Sequence, residues 1–404
     1  MKTAGRIFVA YLVLTLLFTG ALTAVFLIPS SAIEGNVRQS VLQLNDEGPK
    51  YTTQIGFVQP YKLAVFSDCL MMGIAYCADN SQPLQSAMNA RFMMVDGSPI
   101  NGSRIMMEHP DDQRLQPVIY SRYWHGNQVI IRPLLSVMPL NGIRTVNVVL
   151  LTLLWLTLLV VMWQRVGRAD ALIVAGCLAA VMVPSVPLCM NYVSTFYIAL
   201  VASVVILLWK PATARWQSAV ILFFVIGAAT TFLDLLTTPM VAMAVPLVVY
   251  MLYRKPEKTW RAVILLSLAW LLGYASLWAT KWLLAILITG HAAWQDAMSA
   301  VTQRTVGHGE QDYMLWCLKH TLIALGCFIA IASVLIAFTK NRWDNLRRHG
   351  WMLLIALSAF VWALVLLEHT WHHLHFTWRT FVVTLIGIAL FMRYSNFKTK
   401  PKEL

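Results

Sequence analysis

Carboxylates are scarce in this chain. Asp and Glu together number 18 among 404 residues, against 31 Lys and Arg. Charged residues of both signs make up only 12%, while 58% are hydrophobic and mean hydropathy is +0.64. Such a composition excludes a soluble globular protein. Phosphate-cradling motifs are missing as well. There is no Walker motif and no Gly-rich loop, and the predicted inner loops of about 6–12 residues leave no room for a soluble catalytic domain, which argues against nucleotide hydrolysis. Neither an internal repeat nor a low-complexity linker interrupts the chain. Cysteine is sparse, at six. Cys69 and Cys77, if they share one helix, would stand roughly 12 Å apart, too far for a disulfide.

What the chain has instead is apolar runs. Ten are long enough to suggest membrane spans, at about 7–28, 145–163, 171–189, 191–209, 218–234, 238–253, 262–280, 319–338, 351–368 and 377–392. The first is longer than a secretory signal core and reads as a signal-anchor. The sequence therefore predicts an all-α polytopic transmembrane protein. Its parts are a first span (1–28), a large extracytoplasmic loop with short interfacial helices (29–144), a multi-span region (145–392) and a basic tail (393–404).

Alternating spans with both termini cytoplasmic place 18 basic and 4 acidic residues inside, from Lys2 and Arg6 to Lys400, Lys402 and Glu403. The remainder carries 13 basic and 14 acidic residues. This is the positive-inside bias, and an odd span count would destroy it. The same scatter over short loops explains the net charge of +13 without nucleic acid. The compact loops point to a bacterial inner membrane.

The loop 29–144 holds nine of the 18 acidic residues, so recognition or chemistry is expected there. Within it, Asp68 stands in the apolar stretch 58–78. A carboxylate among apolar groups at a membrane surface acquires a raised pKa and can serve as a general base, although Ser67 or Asp68 could equally cap a short helix lying on the membrane. Downstream, Arg122, Tyr123, Trp124, His125 and Arg132 form a dense aromatic and basic segment. It could bind phosphate and stack on sugars, or form an interfacial belt. Asp234, at an outer turn, is either functional or a helix cap. Glu368, His369, His372, His373, His375 and Arg379 form a third outer segment. Four histidines suggest a metal, yet the helical pair of a zinc hydrolase is missing, and His375 with Arg379 reaching a lipid phosphate is the alternative. A segment from Trp282 to Trp316 could form an amphipathic surface helix. Asp111 and Asp112 read as a solvated turn.

These pieces resemble the GT-C superfamily of membrane glycosyltransferases. The likeness rests on the first span followed by Ser67-Asp68-Cys69, on the Arg122-to-Arg132 segment entering the second span, and on His375-Phe-Thr-Trp-Arg379 before the last. It covers the whole chain at the level of architecture, through short motifs. The family often shows two neighbouring acidic residues, whereas Asp68 stands alone. The resemblance implies a polyprenyl-phosphate-linked sugar donor, a cell-envelope glycan or lipid acceptor, Asp68 as base, and arginines on the leaving phosphate. It requires no cofactor and leaves a divalent cation open. Two other classes fit the same architecture. One is a transporter or flippase of lipid-linked glycans. The other is a membrane acyltransferase or polysaccharide polymerase using His125 or His375 as base.

Overall fold

A computed structural model of the chain describes residues 3–47, 62–290, 293–306 and 311–395. Lys2, residues 58–61 of the Asp68 stretch, Glu310 and the tail beyond Ser395 lie outside these residues. The first helix, α1 (Thr3–Val25), leads into the loop expected at 29–144. That loop contains α2 (Ser30–Glu47), α3 (Val65–Tyr76), α4 (Pro83–Met88), α5 (Pro99–Glu108) and α6 (Gln128–Leu135). Between them, β1 (Arg91–Met94) and β2 (Gln116–Ile119) pair antiparallel. The remaining helices are α7 (Leu140–Arg165), α8 (Arg168–Met182), α9 (Val193–Leu208), α10 (Lys210–Thr213), α11 (Trp216–Leu233), α12 (Pro239–Arg254) and α13 (Thr259–Thr289). They continue as α14 (Ala293–Val306), α15 (Gln311–Phe338), α16 (Arg342–His349), α17 (Trp351–Val365), α18 (Leu367–His372), α19 (Leu374–Thr377) and α20 (Val382–Tyr394), with a 3-10 turn at Trp378–Phe381.

Every predicted apolar run contains a helix, although the run at 171–189 is helical only to Met182, and not every helix is long enough to cross a bilayer. Among the described residues six stretches qualify by length and composition: Thr3–Val25, Leu140–Arg165, Trp216–Leu233, Thr259–Thr289, Asp312–Phe338 and Leu374–Tyr394. A seventh arises if α16 and α17, bent by 63° at Gly350, count as one span. Helices α8, α9 and α12 have 15 or 16 residues, which gives about 24 Å against the roughly 30 Å of a hydrocarbon core. The predicted surface helix near 282 is also different. Its first residues extend α13 through Thr289, and only α14 stands apart.

The long helices pack closely where side chains vanish. A Cβ on Gly227 of α11 would strike the Trp270 carbonyl of α13, and one on Gly273 would strike the Phe224 carbonyl of α11. Reciprocal glycines let the two backbones approach, as packing between membrane helices requires.

The loop between α1 and α7 is not a layer resting on this bundle. Ile33, Val37 and Leu44 of α2 share one buried cluster with Cys69, Met71 and Met72 of α3 and with residues of α7 to α12. The helix bearing Asp68 therefore differs from the expected surface helix. It is apolar on all faces, and nine of its twelve residues are buried, as a helix without a polar face must be. Nor does Ser67 or Asp68 cap it. The helix begins earlier, at Val65, with Ala64 in the cap position and Asp68 inside the first turn. Cys69 lies within α3 and Cys77 at its C-terminal end, and all six cysteines are free thiols.

Candidate functional site

The amino terminus of α3 is held from the segment joining α8 to α9. The Ala64 amide donates to Cys189 Sγ at 3.3 Å, and the Tyr192 hydroxyl donates to the Lys62 carbonyl at 3.4 Å. This clamp seats Asp68 at 0% exposure. Neither carboxylate oxygen completes a well-formed hydrogen bond, although the backbone N–H groups of Met190 and Asn191 approach it. Burial raises its pKa from 3.8 to about 7, against the opposing charge of Arg144. A carboxyl in that range is half-ionised near neutral pH and can exchange a proton at little cost.

The segment facing Asp68 borders two hollows. One is a cavity of about 670 Å³ whose walls include Ser67, Lys62, Asn191, Tyr120 and the histidines 369, 372, 373 and 375. The other is an apolar cleft of about 410 Å³ between α6, α7 and α9, lined by Ile131, Leu134, Met190, Val193, Tyr197 and Leu233 among others. Met190 belongs to the cleft and Asn191 to the cavity, so the backbone amides nearest Asp68 form part of both walls.

Two charges that the sequence reading passed over complete the surroundings. Arg144, in the first turn of α7, grips Glu47 at the end of α2 with both terminal nitrogens, at 2.5 and 2.8 Å. Burial alone would raise the Glu47 pKa, but hydrogen bonds from Arg144 and Gln43 and the charge of Arg144 outweigh it and leave it below the ordinary value. Asp68 feels both charges, Arg144 favouring its ionised form and Glu47 opposing it. A second carboxylate, Glu47, thus acts electrostatically on Asp68 from 21 positions earlier in the chain. Arg144, a lone charge near the start of the apolar helix α7, was the available signal.

Several expected ligands for a phosphate are committed elsewhere. Arg132 is fully buried and donates to the Ala75 carbonyl, to the Ile28 carbonyl at 2.5 Å and to Ser30 Oγ at 3.3 Å. It thereby closes the carboxyl end of α3, and burial lowers its pKa to about 10. Arg379 donates to the Val181 carbonyl at 3.2 Å, to the His375 carbonyl at 2.9 Å and to Ser185 Oγ, with its guanidinium 4.7 Å from the Tyr192 ring centre. It braces the α8–α9 segment through Val181, Ser185 and Tyr192. The physical reason is common to both: a buried guanidinium needs acceptors, and nearby free carbonyls supply them.

The aromatic segment divides the same way. Trp124 donates to the Leu277 carbonyl at 2.8 Å and packs among Phe18 and Phe232. Tyr123 stacks on Trp278. His125 is buried with Nε2 2.8 Å from the Tyr120 carbonyl, and burial pulls its pKa down to about 3, unsuited to a base at neutral pH. Arg122 stays half-buried at the rim, its guanidinium 4.4 Å from the centre of the Tyr120 ring that lines the cavity. Asp234 accepts from the Thr237 amide at 2.9 Å and from the Thr237 hydroxyl at 2.5 Å, which closes the turn between α11 and α12; the cap position of α12 is Thr238, and no side chain caps it. Among the described residues no three or more His, Cys, Asp or Glu side chains are arranged to hold a metal ion. The cavity histidines pack around His373, whose ring centre lies 4.7 Å from His369, 4.8 Å from His372 and 6.0 Å from His375. His372 also faces Glu368 at 3.7 Å, and His373 stacks on Phe376.

No family model, curated protein or solved structure matches the chain.

Proposed function

We propose that this protein is an integral-membrane glycosyltransferase that moves a sugar from a polyprenyl-phosphate donor to a glycan or lipid acceptor. One observation carries the reading. Asp68 is a fully buried carboxylate lacking completed hydrogen bonds, beside the Met190–Asn191 backbone, whose two residues line an apolar cleft and a cavity walled in part by Lys62 and four histidines. An amphiphilic donor needs that pairing, with its hydrocarbon chain in the cleft and its sugar in the cavity.

In the proposed reaction Asp68 takes the proton of an acceptor hydroxyl, whose oxygen forms a bond to the anomeric carbon. The bond from that carbon to the phosphate oxygen breaks, and its electron pair leaves with the lipid phosphate. A single displacement inverts the anomeric centre. Arg132 and Arg379 are engaged with carbonyls, so the cation assigned to the leaving phosphate is Lys62 in the cavity wall. The topology that fits has ten spans, α8, α9 and α12 crossing with the help of their flanking turns. Both termini then face the cytoplasm of a bacterial cell and the cavity opens outside. Nucleotide sugars are absent there, so the donor arrives on a lipid.

The decisive test is purified protein incubated with polyprenyl-phosphate sugars. Wild type should consume donor, and Asp68→Asn should lose about 10²–10⁴-fold of that rate while inserting normally. Full activity in the variant would sink the assignment. The four histidines on the cavity wall favour one other reading, an acyltransferase or polymerase with His375 as base. In that case His375→Ala, rather than Asp68→Asn, abolishes turnover.

A further inference from the structure

At the end of the bundle opposite the Asp68 cavity, α16 is fixed at an angle to α17. Asn345 on its inner face donates to Ser395 Oγ at 2.9 Å, and the Trp260 indole donates to the Arg347 carbonyl at 3.0 Å. A Cβ on Gly350 would run into the Trp260 ring, so the bend is what seats that indole. On the other face Arg342, Trp343, Arg347 and Arg348 are exposed, Trp343 at 85%. Between α16 and the first turn of α13 lies a cleft of about 410 Å³ lined by Trp260, Trp343, Leu346 and Arg347. A second hollow of about 270 Å³, lined by Trp216, Lys258 and Arg261 among others, flanks the same turn.

Two features say what occupies the first cleft. Its surroundings are cationic: Arg347 lines it, Lys258 and Arg261 line the adjoining hollow, and Arg342 and Arg348 are exposed on α16, against Glu257 and Asp344 in the same two segments. It also continues into a stripe of exposed apolar residues on α13, Ile264 (48%), Leu268 (52%) and Leu272 (51%), at four-residue intervals from Trp260. That spacing keeps them on one helix face. A ligand that fits has an anionic head and a hydrocarbon tail, with indoles at the junction where they are most favourable.

We propose that this cleft binds one anionic phospholipid, its phosphate on Arg347 and Arg342, its glycerol region between Trp260 and Trp343, and an acyl chain along Ile264, Leu268 and Leu272. The site is separate from the Asp68 cavity and does not depend on the reaction assigned there. The full-length protein, released from nanodiscs of mixed phosphatidylglycerol and phosphatidylcholine and weighed by native mass spectrometry, should retain one phosphatidylglycerol. Arg347→Gln or Trp343→Ala should each weaken retention about fivefold. Arg165→Gln, which removes an exposed charge from the same end of the bundle, should change nothing. Equal loss with Arg165→Gln would reduce the effect to general charge attraction, and equal retention of phosphatidylcholine would remove the headgroup claim. Displacement of the lipid by soluble glycerol phosphate would make this a site for free anions, which also overturns the proposal. If a variant fails to insert, wild type still decides: brominated phosphatidylglycerol should quench tryptophan fluorescence more than brominated phosphatidylcholine, and equal quenching refutes the site.

Discussion

The two most deeply buried charges of the loop after α1 stand at the two ends of α3, and they are treated oppositely. At the carboxyl end Arg132 reaches the Ala75 and Ile28 carbonyls and the Ser30 hydroxyl. In the first turn Asp68 is equally inaccessible, yet its oxygens complete no well-formed hydrogen bond. Burying a charge is costly unless partners are provided. At Arg132 they are provided, and the residue stabilises the helix end. At Asp68 the cost is left standing, which is the pattern of a group kept ready for chemistry rather than for folding.

Substitution is the most direct way to break this contrast. Asp68→Asn should cost two to four orders of magnitude in donor turnover without loss of folded protein. Arg132→Met should do the reverse. Leaving two carbonyls unpartnered should cost about 3 kcal/mol, read as a lower unfolding temperature in detergent. If Asp68→Asn unfolds the protein as Arg132→Met does, the distinction between the two ends collapses.

The pH dependence sharpens the same contrast. With its pKa at about 7 when folded and 3.8 as the ordinary value, Asp68 is protonated in the folded protein and ionised in the unfolded chain between those limits. Its contribution to stability therefore falls as pH rises from 3.8 to about 7 and is level above that. Asp68→Asn should lack this decline in thermal unfolding scans. Turnover should instead rise with pH through about 7, as the base ionises. Glu47→Gln should give a smaller effect. It removes the charge that opposes Asp68 ionisation and frees Arg144, so the midpoint of the activity profile should move to lower pH. An unmoved midpoint would show that the Glu47–Arg144 pair only ties α2 to α7. Smallest of all, His372→Ala on the far wall of the cavity should raise the acceptor KM severalfold with kcat nearly unchanged. A loss confined to kcat would instead implicate that wall in the chemical step.

Much of the helical plan was legible because apolar runs must become helices inside a membrane, where backbone groups have no water to bond. The runs at 7–28 and 145–163 correspond to α1 and α7 almost end to end. Asp68 was legible as a lone carboxylate in an apolar stretch. The roles of the arginines were not. Arg132 and Arg379 look like phosphate ligands in sequence because nothing local reveals the carbonyls of Ala75, Ile28 and Val181 that occupy them. Those acceptors lie 57, 104 and 198 positions away. The surface helix expected around Asp68 failed for a related reason: the loop folds back into the bundle, and an all-apolar helix is then buried on every side.

The sequence by itself determined that this is a helical protein with membrane-spanning apolar helices and a long loop holding half its carboxylates, since hydropathy and charge are local properties that the bilayer reads residue by residue. Only the tertiary structure decided that Glu47 and Arg144 stand with Asp68, that Arg132 and Arg379 serve the scaffold, and that a polar cavity and an apolar cleft share one wall. Those are matters of which distant backbone groups meet which side chains, and a buried charge takes its role from the partners that folding brings to it.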